Sequence, residues 1–155
     1  MTYLVRGLDP APFRQFAAMD DAELVRHSAV RVAVDAKPGY PCRITLEDAE
    51  PGEAMILLNH CSREGDTPYG ARHAIFVGEN ALRVGEYFDR TPPVFAGRHL
   101  SLRAFDLDGM MVDALLAAPG EADDGLRRLF GNERVLEVDV HNAVRGCFAA
   151  RALRA

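Results

Sequence analysis

The sequence predicts an α+β fold, a mostly antiparallel sheet with two N-terminal helices and one late helix. Segments of alternating apolar and polar residues outnumber segments with helical spacing, and short turn signals separate them. Crossover helices are too few for a parallel sheet. The 155 residues, 48% of them hydrophobic and 26% charged, are enough for one sizeable core. We therefore expect residues 1–155 to form a single domain.

The N-terminal part predicts one strand, two helices and a second strand. Residues 2–6 are rich in β-forming residues and end at a glycine. Asp9 and Pro10 are typical of a helix start, with aspartate as the cap and proline in the first turn. A second short helix is expected within residues 20–27. Valines alternate with other residues over 29–34, which is typical of a half-buried strand.

The middle of the chain predicts extended segments separated by turns. The extended segments are 42–46, 54–59 and 72–77. The turns are rich in proline, glycine and charged residues, and they occupy 35–41, 47–53 and 60–70. Since 54–59 is apolar on both faces, it is expected to be a central strand.

The C-terminal part predicts two antiparallel pairs and the late helix. Asp108 and Gly109 lie between the apolar runs 99–105 and 110–116, a strong hairpin signal. Helical spacing over 119–130 ends at a glycine. A second pair is expected from 135–140 and 147–153. Sheet positions are predicted for Leu102, Ala104, Met111, Leu136 and Val138.

Composition disfavours several classes of protein. The chain carries 18 basic and 23 acidic residues, a net charge of −5, so its overall field repels nucleic acid and anionic membrane. We expect no membrane span and no secretory signal, and therefore a cytoplasmic protein. The three cysteines are odd in number and not clustered, which favours reduced thiols without a disulfide.

No common catalytic or cofactor motif is present. The sequence lacks a phosphate-binding glycine-rich loop ending in Gly-Lys-Ser/Thr, an HExxH pair and a Gly-x-Ser-x-Gly elbow. No cofactor is therefore expected. The histidines and cysteines lack metal-ligand spacing, so no metal site is expected either. His73 and His99 are expected to be core or edge histidines with their hydrogen bonds satisfied.

The densest group of chemically versatile side chains lies where a predicted strand ends, at His141, Asn142, Arg145 and Cys147. One interpretation makes Cys147 a nucleophile, with His141 as its base, Asn142 orienting the imidazole or donating to an oxyanion, and Arg145 binding an anion. The other makes Cys147 a small buried hydrophobic residue and Asn142 a turn residue.

A second segment holds Lys37, Tyr40, Cys42 and Arg43, with two prolines that restrict its backbone. Lys37 and Arg43 would attract an anion or a thiolate, Tyr40 would be presented on a rigid loop, and Cys42 is a second candidate nucleophile. The alternative is a structural turn with a packed tyrosine and a buried cysteine.

Both segments carry a resemblance to a known family. The residues that carry it are Lys37 to Arg43, Leu46 to Glu53, Leu57-Leu58, Thr67-Pro68-Tyr69, Ile75-Phe76-Val77, Leu102-Arg103-Ala104, Asp108 to Met111, His141-Asn142-Ala143 and Gly146-Cys147. Over nearly its whole length the sequence resembles a bacterial family known as a domain of unknown function, DUF1203. The resemblance implies a small stand-alone bacterial protein and supplies no activity.

Together these observations predict a pocket for a small anionic ligand between the 37–43 loop and the 141–147 turn, with thiol chemistry as an added expectation. Cys42 or Cys147 would be the nucleophile. The alternative is a non-catalytic structural or protein-interaction domain. The oligomeric state is left open.

Overall fold

The computed structural model describes residues 2–155, and in that range the chain forms nine strands and three α-helices. The strands are β1 (Tyr3–Arg6), β2 (Ala29–Ala33), β3 (Ala54–Arg63), β4 (Ala71–Gly78), β5 (Glu86–Phe88), β6 (Leu100–Phe105), β7 (Met111–Ala117), β8 (Glu137–Asn142) and β9 (Phe148–Arg154). The helices are α1 (Arg14–Ala17), α2 (Asp21–Arg26) and α3 (Ala122–Phe130). Single 3₁₀ turns occupy Ala11–Phe13 and Pro93–Phe95.

The strands form two sheets in which every pairing is antiparallel. The larger sheet has the order β5-β1-β9-β8-β6-β7, and the smaller has the order β2-β3-β4. Most neighbours in space are close in sequence, as in β6–β7 and β8–β9. The predicted α+β class with a mostly antiparallel sheet is confirmed.

The larger sheet has two different faces. On one face Leu102, Val138 and Val140 pack with Leu126 and Phe130 of α3 in a fully buried apolar cluster. The opposite face is turned toward the smaller sheet, because Phe148 of β9 belongs to the apolar cluster of that sheet. Alternation along β8 therefore divides its valines from its polar residues.

A polar layer lies between the two sheets. Asp139 of β8 accepts hydrogen bonds from Arg63 of β3, at 2.9 Å, and from Arg151 of β9, at 2.6 Å. The imidazole of His141 contacts that of His73 on β4, with ring centroids 4.9 Å apart. Charged and aromatic groups therefore join the two sheets, in addition to apolar packing.

Local signals place several elements as predicted. The side chain of Asp20 accepts from the Glu23 backbone N–H while the Glu23 side chain accepts from that of Asp20, a capping box at the start of α2. In the β6–β7 hairpin, Gly109 has φ +73°, a conformation that favours glycine. Both features depend on residues within a few positions of each other.

Four predicted boundaries are wrong. Residues 42–46 form a turn, in which the Leu46 N–H donates to the Cys42 carbonyl at 2.9 Å and Leu46 has φ +59°. The polar residues 60–63 continue β3, because β4 pairs with them and Asp139 binds Arg63. Leu136 precedes β8 and is 38% exposed. The first predicted helix is a 3₁₀ turn followed by the short α1.

The described cysteines are all free. Cys42 is buried, whereas Cys61 and Cys147 are partly exposed. We expect three reactive thiols when the protein is denatured without a reductant and titrated with a chromogenic thiol reagent. A single reactive thiol would show that two of the cysteines had paired.

None of the helices in residues 2–155 has both the length and the apolar character required to cross a bilayer.

Candidate functional site

The turn at residues 42–46 is held in place by backbone contacts from distant parts of the chain. The Leu8 N–H donates to the Arg43 carbonyl at 2.8 Å, and the Gly85 N–H donates to the Ile44 carbonyl at 2.8 Å. The Arg43 N–H itself donates to the Phe76 carbonyl at 3.0 Å. These bonds fix the backbone from which the Arg43 side chain projects.

The Arg43 guanidinium is the centre of the site. It is 2% exposed and donates from Nε to the Phe148 carbonyl at 2.8 Å, from Nη1 to the Pro41 carbonyl at 2.8 Å and from Nη2 to Cys147 Sγ at 3.2 Å. Within residues 2–155 no Asp or Glu oxygen lies within 4.0 Å of it. Burial lowers the pKa of Arg43, and the neighbouring Cys147 sulfur opposes that shift.

The sulfur of Cys147 is surrounded by hydrogen-bond donors. Besides Arg43, the Asn142 side-chain amide donates to it at 3.5 Å. Two backbone hydrogen bonds close the turn between Asn142 and Cys147. The Gly146 N–H donates to the Asn142 carbonyl at 2.7 Å, and the Asn142 N–H donates to the Cys147 carbonyl at 2.9 Å. Cys147 as a whole residue is partly exposed.

The other two cysteines have different surroundings. The Cys61 thiol donates to the Arg63 carbonyl at 3.5 Å, which is an interaction of the neutral S–H. Cys42 is 4% exposed, accepts from the Gly78 N–H at 3.3 Å and belongs to the apolar cluster of the smaller sheet. Among the hydrogen bonds of residues 2–155, a guanidinium donates to the sulfur of Cys147 and to neither of the other two cysteine sulfurs.

His141 supports the turn that carries Cys147. Its Nδ1 lies 3.0 Å from the Gly146 carbonyl oxygen, so that nitrogen carries the proton and donates. Burial lowers the pKa of His141 to about 4, and Arg103 and His73 act in the same direction. The imidazole is therefore neutral at pH 7 and fixes the position of Gly146, next to the cysteine.

His73 and Arg103 extend the polar group beyond the predicted residues. Within the described chain, the buried Nε2 of His73 has no hydrogen-bond partner. The expectation of a satisfied histidine is therefore wrong at this position. Arg103 donates from Nε to the Ser101 hydroxyl at 3.2 Å and, in residues 2–155, has no carboxylate within 4.0 Å.

Lys37, Tyr40 and Arg145 have other surroundings. Lys37 pairs with Glu50 at the surface. The Tyr40 hydroxyl donates to Asp35 at 2.9 Å. Arg145 is exposed. The structure thus brings together Arg43, His141, Asn142 and Cys147 of the predicted set.

Two surface clefts lie near the site but are not lined by Arg43 or Cys147. One, of about 140 Å³, lies beside Phe13, Ile44 and Gly78. The other, of about 460 Å³, lies beside Ser62 and Phe148. Across the described residues, no group of three or more His, Cys, Asp or Glu side chains has an arrangement that would hold a metal ion.

Sequence reasoning did not place Arg103 and His73 in the candidate site. For Arg103 a signal was present. Arg103 alternates with Leu102 and Ala104, which are fully buried on the α3 side of the sheet. Alternation therefore places Arg103 on the inter-sheet face with Ser101. Which residues of the smaller sheet lie opposite could not be read from that pattern.

Acid should destabilise the protein through His141. Between its folded pKa of about 4 and the ordinary value of 6.5, the unfolded chain binds more protons, so stability falls as pH decreases. We expect the free energy of unfolding to be about 2 kcal/mol lower at pH 5 than at pH 7 from this group. Urea denaturation at both pH values measures the difference.

Variants identify the source of that pH effect. His141→Phe keeps an aromatic ring and cannot titrate, so its difference between pH 7 and pH 5 should be smaller. His27 is exposed, and His27→Gln should behave as the unmodified protein does. Equal pH dependence in all three proteins would contradict this account.

Comparison with protein-family models matches residues 39–154 to a family described as "Protein of unknown function (DUF1203)". The match includes Arg43, His73, Arg103, His141, Asn142 and Cys147. No curated protein matches the chain. No solved structure matches it either.

Proposed function

The chain belongs to the DUF1203 family, whose function is unknown, and from the geometry of its own site we propose that it binds a small anionic ligand and uses Cys147 as a nucleophile. One observation carries the proposal. Arg43 is a buried cation without a carboxylate partner in residues 2–155, and its Nη2 lies 3.2 Å from the Cys147 sulfur.

Electrostatics is the reason why this arrangement favours thiol chemistry. Burying a guanidinium without a negative partner is costly, and an ionised sulfur at hydrogen-bond distance offsets part of that cost. Charge-assisted hydrogen bonds from Arg43 and the Asn142 amide stabilise negative charge on sulfur. The thiolate is the nucleophilic form of cysteine.

Each residue of the site has a role in this proposal. Cys147 supplies the electron pair for a new bond to the ligand. Arg43 attracts the ligand's negative charge, and Asn142 donates to the sulfur. His141 is a positioning residue, because its Nδ1–H holds Gly146. Cys42 has a packing role.

The competing function is a non-catalytic structural or protein-interaction domain. In that case the sulfur of Cys147 serves only as a hydrogen-bond acceptor for Arg43. The observation that favours this second function is that Cys147 lines neither of the two surface clefts described above. The two functions differ in how fast the sulfur reacts.

Alkylation of the native protein with iodoacetamide tests the proposal. The sulfur forms a bond to carbon while the carbon–iodine bond breaks and iodide leaves. At pH 7, with each cysteine quantified by peptide mass spectrometry, we expect Cys147 to react at least about tenfold faster than Cys61. Cys61 is the internal control because it is also partly exposed and its thiol donates to a carbonyl.

Two variants connect the rate to its physical cause. Asn142→Asp keeps the side-chain shape, removes the amide donor and adds a negative charge, so it should slow Cys147 and leave Cys61 unchanged. Arg43→Met should slow Cys147 as well, with folding checked by circular dichroism. If Cys147 in the unmodified protein reacts no faster than Cys61, the thiol function is abandoned in favour of the structural one.

The anionic part of the proposal has its own readout. Iodoacetate delivers the same reactive carbon as iodoacetamide on a negatively charged molecule. The ratio of the iodoacetate rate to the iodoacetamide rate should be higher at Cys147 than at Cys61, because Arg43 attracts the anion. Equal ratios at both cysteines would exclude an anion site at Cys147.

A further inference from the structure

We propose that Arg103, Ser101 and His73 form a subsite for a tetrahedral oxyanion of the phosphate class. The subsite lies in the polar layer between the sheets, on the side of His141 that faces β4 and β6. This subsite rests on the proposed function, in which the protein binds a small anionic ligand. It adds the chemical group by which that ligand would be bound.

Arg103 has unused hydrogen-bonding capacity. Its Nε donates to the Ser101 hydroxyl, and no carboxylate in residues 2–155 lies within 4.0 Å of its guanidinium. Asp139 is the residue opposite Arg103 across β6 and β8. The oxygens of Asp139, however, bind Arg63 at 2.9 Å and Arg151 at 2.6 Å. The terminal nitrogens of Arg103 are therefore available to an anion.

In the tautomer that carries its proton on Nε2, His73 supplies a second donor. Its Nε2 is buried and, among the described residues, lacks a hydrogen-bond partner, which costs free energy unless a ligand satisfies it. Burial, Arg103 and Arg43 all lower the pKa of His73, while Asp139 raises it. Both cations thus act on this imidazole, so they would also stabilise an anion beside it.

The charge around His73 and Asp139 is unbalanced. Four arginines and two carboxylates lie in this part of the layer, which leaves an excess of two positive charges, or of one when the Cys147 sulfur is ionised. They are Arg43, Arg63, Arg103 and Arg151, with Glu137 and Asp139. The whole chain has a net charge of −5. A local cationic excess inside an acidic protein favours an anionic ligand at this place.

The number of donors favours a tetrahedral anion over a planar carboxylate. A guanidinium binds two oxygens of an oxyanion through paired N–H groups. Phosphate has further oxygens for the Ser101 hydroxyl and the His73 imidazole, whereas a carboxylate has only two oxygens for all three groups. The donor set is therefore matched by a phosphate or a phosphate monoester.

Thermal unfolding with inorganic phosphate tests the subsite. The full chain is titrated with phosphate at about 0.1–10 mM, a range suited to a weak anion site. The ionic strength is kept constant, because salt screens charges. A dissociation constant of about 1 mM would raise Tm by about 3–5 °C at the highest concentration. Acetate at the same concentrations should give a clearly smaller shift.

Matched variants locate the bound phosphate. Arg103→Gln should weaken phosphate binding at least about tenfold, as expected for the loss of a charged donor. Arg134→Gln removes the same charge from an exposed arginine and should keep the full shift. If Arg103→Gln folds poorly, Ser101→Ala replaces it as the test variant. The subsite is overturned if Arg103→Gln and Arg134→Gln respond alike, or if acetate equals phosphate.

The outcome also separates this inference from the thiol function. Cys147→Ser should retain the phosphate response, because the sulfur is not one of the three donors. Fast alkylation of Cys147 without any phosphate response would overturn the subsite alone. A phosphate response confined to proteins with Arg103, combined with a slow Cys147, would support the subsite and remove the thiol function.

Discussion

Asp139→Asn should lower the free energy of unfolding by about 3–5 kcal/mol, the usual cost of removing one partner from a buried ion pair. The Asp139 side chain is 3% exposed and binds the guanidinium groups of Arg63 and Arg151. Asparagine keeps the shape but removes the negative charge, so Arg63 and Arg151 lose one of the two carboxylates that they share, the other being that of Glu137. Urea denaturation at pH 7 measures the loss.

Glu86→Gln is the control for this effect. Glu86 pairs with Arg6 at 3.1 Å, but both side chains are more than half exposed. Its replacement should change stability by less than about 1 kcal/mol, because water screens exposed pairs. Similar losses for both variants would mean that the inter-sheet ion pairs are no more important than surface pairs.

Gly85→Ala should destabilise the protein by about 4 kcal/mol or more, beyond the usual cost of overpacking. A Cβ atom at Gly85 would lie 2.1 Å from the Thr45 carbonyl oxygen, and that backbone cannot move without shifting the turn that carries Arg43. Because Arg43 Nη2 would be displaced from Cys147, alkylation of Cys147 should slow as well.

Gly70→Ala is the matched control for that substitution. A Cβ atom at Gly70 would lie 3.8 Å from its nearest neighbours, an ordinary van der Waals distance. Its stability and Cys147 reactivity should therefore stay close to those of the unmodified protein. If Gly85→Ala were equally mild, the close backbone contact would not be what holds the Arg43 turn.

The sequence predicted the elements that depend on local chemistry. The start of α2 after Asp20 and the turn at Gly109 involve neighbours in the chain, and both lie where expected. The polar end of β3 could not be predicted, because the partners of Arg63, which are Asp139 and the paired strand β4, are not its neighbours in sequence. The short β5 depends in the same way on pairing with β1.

The candidate site was predicted in part, for the same physical reason. The sequence predicts both Arg43 and Cys147 as site residues because they lie in polar, turn-rich segments. Nothing local indicates that they touch, since the contact joins positions 104 residues apart. Lys37, by contrast, pairs with Glu50, only 13 residues away. The loop's two cations therefore have different partners, which composition alone does not reveal.

The long separation between Arg43 and Cys147 makes the sulfur an internal reporter of folding cooperativity. The donors around it come from the 42–46 turn and the end of β8, so they assemble only when the two sheets are joined. Any opening that parts the sheets removes the guanidinium from the sulfur, even when β8 and β9 stay paired. Modification rates of Cys147 and Cys61 along a urea gradient would therefore reveal whether the sheets separate before the strands unfold.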